Sequence, residues 1–354
     1  MNKRIKVNFI IDFSNALKGS GIYSSATRLA QGLKELGFDI SINSNRSADI
    51  VHFHTALPQS CIKAYMYRSF KSKTIKKLPK IVIHGHTTIE DFVNSFIFSN
   101  QIKPFLKHYL PFYYNLADKL IAVSDHNKNL LVNYGINQEK IEVISNGIKT
   151  DSAKINNKLR ILARKELGLS EKDTLVIGLG VSIYRKGIDI FVKIAEKLPN
   201  VQFIWIGKRI PTSFLAHSSY LKKCFKLANN LPNIKFAGYV SRKTLISVLN
   251  SSDIFLFPTR EENQGIAFLE AILYGKPAII SNHPVFSEYE DKTHVLKANN
   301  LEDYVNHINY LINNKDIRMK LVKNARSYLD NHEIKLSINR VSDVYSELIS
   351  DSKN

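Results

Sequence analysis

The feature that most constrains this chain is an alternation of strand-like and helix-like segments that runs twice. Short runs rich in β-branched residues, Lys6–Ile11, Ile50–Phe53, Lys80–His84, Lys119–Val123 and Ile141–Ile144, are separated by stretches of helical character. One of these, Ser24–Leu36, places Leu29, Leu33 and Leu36 close to helical spacing and stops at Gly37. Near-continuous apolar strands alternating with helices indicate a parallel sheet covered on both faces. After Asn146-Gly147-Ile148 the pattern lapses through a polar stretch, Lys149–Asn157, and then restarts. Strands are expected at Thr174–Leu179, Gln202–Ile206, Ile234–Phe236, Ile254–Pro258 and Ala278–Ser281, with helices at Gly187–Leu198, Ser241–Leu249 and Gly265–Tyr274. The tail from Leu301 to Ser350 reads as helices. The fold class is therefore α/β, with two Rossmann-like, doubly wound parallel-sheet domains and C-terminal helices. Open parallel sheets bind ligands at the carboxyl ends of their strands, and two such domains would share a cleft there.

The 354 residues suit two domains, and a hydrophobic fraction of 44% is ordinary for a globular protein. No apolar run approaches the roughly 18–20 residues needed to span a bilayer. The N-terminal Met1–Asp12 reads as a first strand rather than a signal peptide, which needs a longer apolar stretch and a small-residue cleavage site. Cys61 and Cys224 fall in different domains, which suits a reducing cytoplasm. The charge is unusual: 50 Lys+Arg against 31 Asp+Glu, formally +19. Such a field attracts an anionic partner, whether nucleic acid, membrane or phosphorylated ligand. No nucleic-acid-binding motif accompanies it.

The strongest chemical signal is Thr259–Ala271, in which Glu262 and Glu270 are separated by seven residues. Glu262 lies in the loop after a strand and Glu270 in the following helix. A helix N-terminus suits a diphosphate, Gly265 would let backbone approach it, and carboxylates accept hydrogen bonds from hydroxyls. Two glutamates alone would more often be solvated helix-face acids. The strand, glycine and helix around them favour a sugar and a ribose as their partners.

Here the sequence resembles a known family. Glu262 through Glu270, with Tyr274-Gly275-Lys276-Pro277 after it, looks like the glutamate-pair signature of retaining glycosyltransferase family 4, of GT-B fold. The resemblance extends through the Gly19–Gly21 loop, Val51–His54, His84–Thr87, Ser145–Ile148, Arg185-Lys186-Gly187 and Gly238-Tyr239-Val240. His86–Asn100, Phe203–Gly207 and Glu261–Gly265 look closer still to bacterial diacylglycerol glucosyltransferases, which make membrane glycolipids. The resemblance implies a domain of residues 1–150 for acceptor and membrane, a nucleotide-sugar domain of 151–332, and a final helix, 333–354, returning to the first domain. It implies that Glu262 holds donor-sugar hydroxyls, beside backbone amides of Asn263, Gln264, Gly265 and Ile266, and that Glu270 holds the ribose. Lys186, with Arg185, would neutralise the departing diphosphate. His86 would stand near the reacting carbon, Gly19 and Gly21 would contact phosphate or acceptor, and backbone near Tyr239 and Val240 would recognise the base. Retention in this family is attributed to front-face attack, so no protein nucleophile is expected. One departure stands out: many relatives carry a second basic residue before the Arg-Lys-Gly step, and Gly180–Tyr184 has none.

No cofactor beyond the nucleotide sugar is expected. No Asp-x-Asp motif follows a strand, so no obligatory metal is expected either. His52, His54, His84 and His86 form two His-x-His pairs at adjacent strand ends. Zinc is conceivable, but no acid or cysteine completes a ligand set, and hydrogen-bonded histidines lining a cleft are the simpler expectation. Gly178-Leu179-Gly180 lacks the third glycine of the dinucleotide fingerprint, since the next is Gly187.

Between Cys61 and Lys80 there is no acid, but there are Lys63, Arg68, Lys71, Lys73, Lys76, Lys77 and Lys80. A second segment, Phe92–Tyr114, is dense in aromatics and carries Lys103 and Lys107. Either could be bland, a solvated basic helix or core aromatics. Together with the resemblance they imply an anionic membrane surface as partner and a lipid acceptor. The resulting expectation is a peripheral enzyme on the cytoplasmic membrane face, moving glucose from a UDP-sugar to diacylglycerol. The alternatives are a polysaccharide, glycolipid or protein acceptor, or a non-enzymatic basic binding protein.

Overall fold

The computed structural model describes residues 4–17, 20–69, 78–93, 99–150, 155–209 and 218–350. These form two compact units, Met1–Phe92 with Gln101–Ile148 and His332–Asn354, and Val93–Asn100 with Lys149–Asn331.

The first unit is built on β1 (Lys6–Ile10), β2 (Asp39–Ile42), β3 (Ile50–Phe53), β4 (Lys80–His84), β5 (Lys119–Ala122) and β6 (Ile141–Val143). They pair in parallel in the order β2-β1-β3-β4-β5-β6. The order reverses between β1 and β3, the place where an open parallel sheet offers a crevice beyond its carboxyl ends. Val7, Phe9 and Ile11 bury one face against Ala26, Leu29, Ala30 and Leu33 of the helix Gly21–Glu35. The last helix, Ile334–Ser350, adds Val341, Val344, Tyr345 and Leu348 to the same core. Its start is fixed by paired backbone bonds, Ile148 N–H to the His332 carbonyl at 2.8 Å and Ile334 N–H to the Ile148 carbonyl at 2.9 Å.

The second unit is built on β7 (Leu175–Leu179), β8 (Gln202–Ile206), β9 (Ile234–Gly238), β10 (Ile254–Phe257), β11 (Ala278–Ser281) and β12 (Leu296–Ala298). Their order, β12-β11-β10-β7-β8-β9, is again all parallel and reverses between β7 and β10. Phe191, Val192 and Ile194 of the helix Ile188–Lys197 pack with Val176, Phe203 and Trp205 on one face. The expected doubly wound α/β class holds for both sheets. The sequence pattern omitted β2 and β12, short strands at the sheet edges. The stretch read as polar linker ends in a helix, Asn157–Glu166.

Candidate functional site

In the second unit the loops after β7 and β10, the two strands flanking the reversal, come together. Lys186 Nζ contacts a Glu262 carboxylate oxygen, and both side chains are mostly buried. Burial opposes the charge on Glu262. It is outweighed by the positive charges of Lys186 and Arg185, helped by hydrogen bonds from Lys186 and from the Asn263 N–H at 3.2 Å, so the carboxyl is held down to about 2. Lys186 Nζ also lies 5.3 Å from the centre of the Phe257 ring. The loops are stitched by backbone: the Arg260 N–H donates to the Arg185 carbonyl at 2.7 Å, and Arg185 Nη1 donates to the Glu261 carbonyl at 3.0 Å. Arg260 forks onto Asp189 with two bonds of 2.8 Å, and its guanidinium carbon lies 3.9 Å from the Tyr184 ring centre. Gly187, at φ +70°, permits this closeness, since a Cβ there would lie 1.9 Å from the Pro258 carbonyl oxygen.

Gly265, at φ +81°, starts the helix Ile266–Leu273, and no side chain caps that end. Asn263 and Gln264 are buried just before it. A helix start with backbone N–H groups, next to a lysine and an arginine, has the chemistry that favours anionic oxygens. Glu270, one turn into the helix, is buried and receives a hydrogen bond of 2.5 Å from Arg242 Nη1. Arg242 opens the helix Arg242–Ser251, which follows β9. Tyr239, also after β9, is 67% exposed, and Val240 is half-buried beside it.

In the first unit, His52, His54 and His84 are buried. Ring centres lie 4.2 Å apart for His52 and His54, 5.2 Å for His54 and His84, and 5.4 Å for His52 and His84. His86 stacks on His84 at 4.2 Å. Burial holds the His86 imidazole down to about 3, so the ring is neutral at pH 7. Hydrogen-bonded histidines were expected; His52 Nδ1 meets the Tyr345 hydroxyl, whereas among the described residues both ring nitrogens of His54 and of His84, and Nε2 of His52, have no partner. Gly21 is the first residue of the helix Gly21–Glu35, whose N-cap Ser20 accepts from the Tyr23 N–H. Gly19 lies outside the described residues.

Two family models match the chain, "Glycosyltransferase Family 4" over residues 22–152 and "Glycosyl transferases group 1" over residues 160–328. The processive diacylglycerol alpha-glucosyltransferase of Acholeplasma laidlawii is 28% identical over 346 residues, covering 98% of this chain and 99% of that one. The alpha-galactosylglucosyldiacylglycerol synthase of Streptococcus pneumoniae is 26% identical over 343 residues, covering 94% and 88%. Among solved structures, Anabaena HepE in complex with UDP-glucose superposes with a TM-score of 0.78 at 16% identity, covering 97% of this chain and 100% of that one. The chain belongs to the GT-B glycosyltransferases.

Within this glycosyltransferase, the sequence pointed to Arg185, Lys186 and Glu262, and the fold brings these three together. It gave no sign of Arg260 and Asp189, 71 positions apart, or of Arg242 against Glu270, because their pairing depends on tertiary neighbours. The expected membrane lysines divide. Lys63 is exposed on the helix Pro58–Ser69, Arg68 on the same helix pairs with Asp118 at 3.0 Å, and Lys80 begins β4. Lys71, Lys73, Lys76 and Lys77 lie outside the described residues. The aromatic segment also divides. Tyr113 and Tyr114 are core, their hydroxyls bonded to the carbonyls of Thr55 and Thr87. Phe105 and Phe112 are exposed on the helix Ser99–Asn115 beside exposed Lys103 and Lys107. Tyr65 meets Phe112 at 6.2 Å, which joins this face to exposed Ile62 and Met66 of the helix Pro58–Ser69. Among the described residues, no helix is long and apolar enough to cross a membrane.

Proposed function

We propose that the protein moves glucose, or a related hexose, from a UDP-sugar to the free hydroxyl of diacylglycerol, with retention, giving an α-glycolipid. The buried Lys186–Glu262 pair, beside an uncapped helix start at the strand reversal of the second sheet, carries this reading. A lysine and an arginine held next to helix N–H groups stabilise negative charge as it develops on a leaving diphosphate. Glu262, ionised at every working pH, accepts hydrogen bonds from sugar hydroxyls once a diphosphate takes its place on Lys186. Glu270 is assigned to the ribose and the backbone at Tyr239 and Val240 to the base. The acceptor oxygen forms a bond to the anomeric carbon as that carbon's bond to the diphosphate breaks. The acceptor proton passes to the departing phosphate oxygen, and UDP leaves. Neutral His86 is assigned to the acceptor side. The charge of the leaving group is met by Lys186, Arg185 and the helix end, so no metal or cofactor is assigned to this chemistry.

The relatives, two of which are named for diacylglycerol glycolipids, and the exposed apolar and basic face of the first unit support this acceptor. Aromatic rings at headgroup level and lysines near an anionic leaflet suit peripheral attachment to the cytoplasmic membrane face. Labelled UDP-glucose with diacylglycerol vesicles, with and without anionic lipid, tests both parts. A labelled lipid whose yield rises with anionic lipid is expected. UDP-glucose turnover without a labelled lipid would move the acceptor to a polysaccharide, a pre-formed glycolipid or a protein. No turnover with any acceptor would end the reading.

A further inference from the structure

The three buried histidines of the first unit have no place in that chemistry, and their arrangement is costly as it stands. A buried polar group left without a hydrogen bond is destabilising. Among the described residues, five ring nitrogens of His52, His54 and His84 have no such partner. Their floor is apolar, with the Phe9 ring 5.1 Å from His52 and 4.6 Å from His54. One nitrogen from each ring can be chosen so that all three lie within 4.8 Å of one another. The spacing of the rings is informative. An ion bound tetrahedrally at ~2.1 Å from each imidazole nitrogen sets the ring centres about 5 Å apart. The three observed separations are 4.2, 5.2 and 5.4 Å.

We propose that His52, His54 and His84 form a three-histidine site for a zinc-class divalent cation, with water in the fourth position. The backbone builds it: β3 and β4 pair side by side, and alternate residues of a strand share a face, so the two histidines of Val51–His54 and the one ending β4 project together. A second layer is present as well. His52 Nδ1 lies 2.6 Å from the Tyr345 hydroxyl, so an N–H there leaves Nε2 as the ligand. Tyr345 belongs to the last helix, Ile334–Ser350, so the ion would hold that helix to the sheet. Its role is structural and stands or falls apart from the sugar-transfer reading.

The test uses the full chain, stripped with a chelator and dialysed against zinc or cobalt(II). A single ion per chain and the visible bands of tetrahedral cobalt are expected. Both should vanish in a His54→Phe/His84→Phe double variant and persist in His108→Ala, which alters an exposed histidine. Tyr345→Phe should weaken binding by about 10- to 100-fold. That single variant keeps the test decisive if the double variant does not fold. Wild-type protein that takes up neither ion overturns the proposal, as does uptake unaffected by any of these changes.

Discussion

The two ends of strand β10 treat buried charge in opposite ways. At its amino end, Arg164 is almost completely buried and directs its donors at backbone: Ser251 carbonyl at 2.8 Å, Ser170 carbonyl at 2.6 Å, and the Asp173 carbonyl, with Asp253 Oδ2 at 3.2 Å. Arg160 holds Asp253 Oδ1 at 2.7 Å, and Lys276 holds the Asn250 and Ser252 carbonyls at 3.2 and 2.9 Å. At the carboxyl end, Lys186 faces Glu262, and its ammonium is held by that carboxylate rather than shared between a carboxylate and backbone carbonyls. The difference teaches what separates a strut from a site. Backbone carbonyls cannot be exchanged for a ligand, so the arginine cluster ties the helix Asn157–Glu166 to the sheet. A carboxylate facing a lysine can be replaced by a second anion, such as a phosphate.

The largest expected effect sharpens this contrast. Arg164→Met takes a buried guanidinium away from Asp253 and several carbonyls and should destabilise the protein by about 3–5 kcal/mol in chemical denaturation. Glycosyl transfer per folded molecule should not change. A stable variant with lost activity would erase the distinction between the two ends.

The pH dependence of stability divides in the same way. Glu262 has a folded pKa of about 2 against an ordinary 4.5. Its contribution is complete above pH 4.5 and is lost as pH falls toward 2. Lys276 has the opposite window. Burial first, and then the Arg160 charge, bring it from 10.5 down to about 8, so its penalty is present below pH 8 and relieved as pH rises to 10.5. The stability difference between wild type and Lys276→Met should therefore change between pH 8 and 10.5. That between wild type and Glu262→Gln should change only below 4.5. A difference that stays flat through its window would contradict the assigned pairing.

The smallest effect concerns the surface. Each lysine near an anionic leaflet contributes about 1 kcal/mol. Lys63→Gln, Lys103→Gln and Lys107→Gln should each weaken vesicle binding by roughly fivefold, without altering stability. Binding that is indifferent to all three would remove this face from the membrane reading.

How much of this was legible in sequence follows physical lines. Strands β3 and β10 are buried throughout and β4 is buried from Ile81 on, so their apolar runs announce them. Strand β2 buries only Ile40 of its four residues, and an edge strand of that kind leaves no hydrophobic pattern. The helix Ser99–Asn115 holds Pro104 and Pro111 inside it, which obscures its period. Arg185, Lys186 and Glu262 were legible because a glycine-marked strand–loop–helix surrounds them. Arg164 and Asp253 were not, since they are 89 positions apart and neither carries a local signal. The histidines were visible as two His-x-His pairs, but the packing of His52, His54 and His84 against one another could be seen only in three dimensions.

The most direct measurement is the rate of sugar transfer from labelled UDP-glucose to diacylglycerol vesicles by Lys186→Met, measured beside wild type and Arg164→Met at equal amounts of folded protein. Loss of a preorganised charge at a developing anion costs about 10²–10³-fold in kcat. The expected result is that loss in Lys186→Met, with its fold intact, and none in Arg164→Met. Transfer by Lys186→Met at the wild-type rate would contradict the assignment of the Lys186–Glu262 pair to the chemistry.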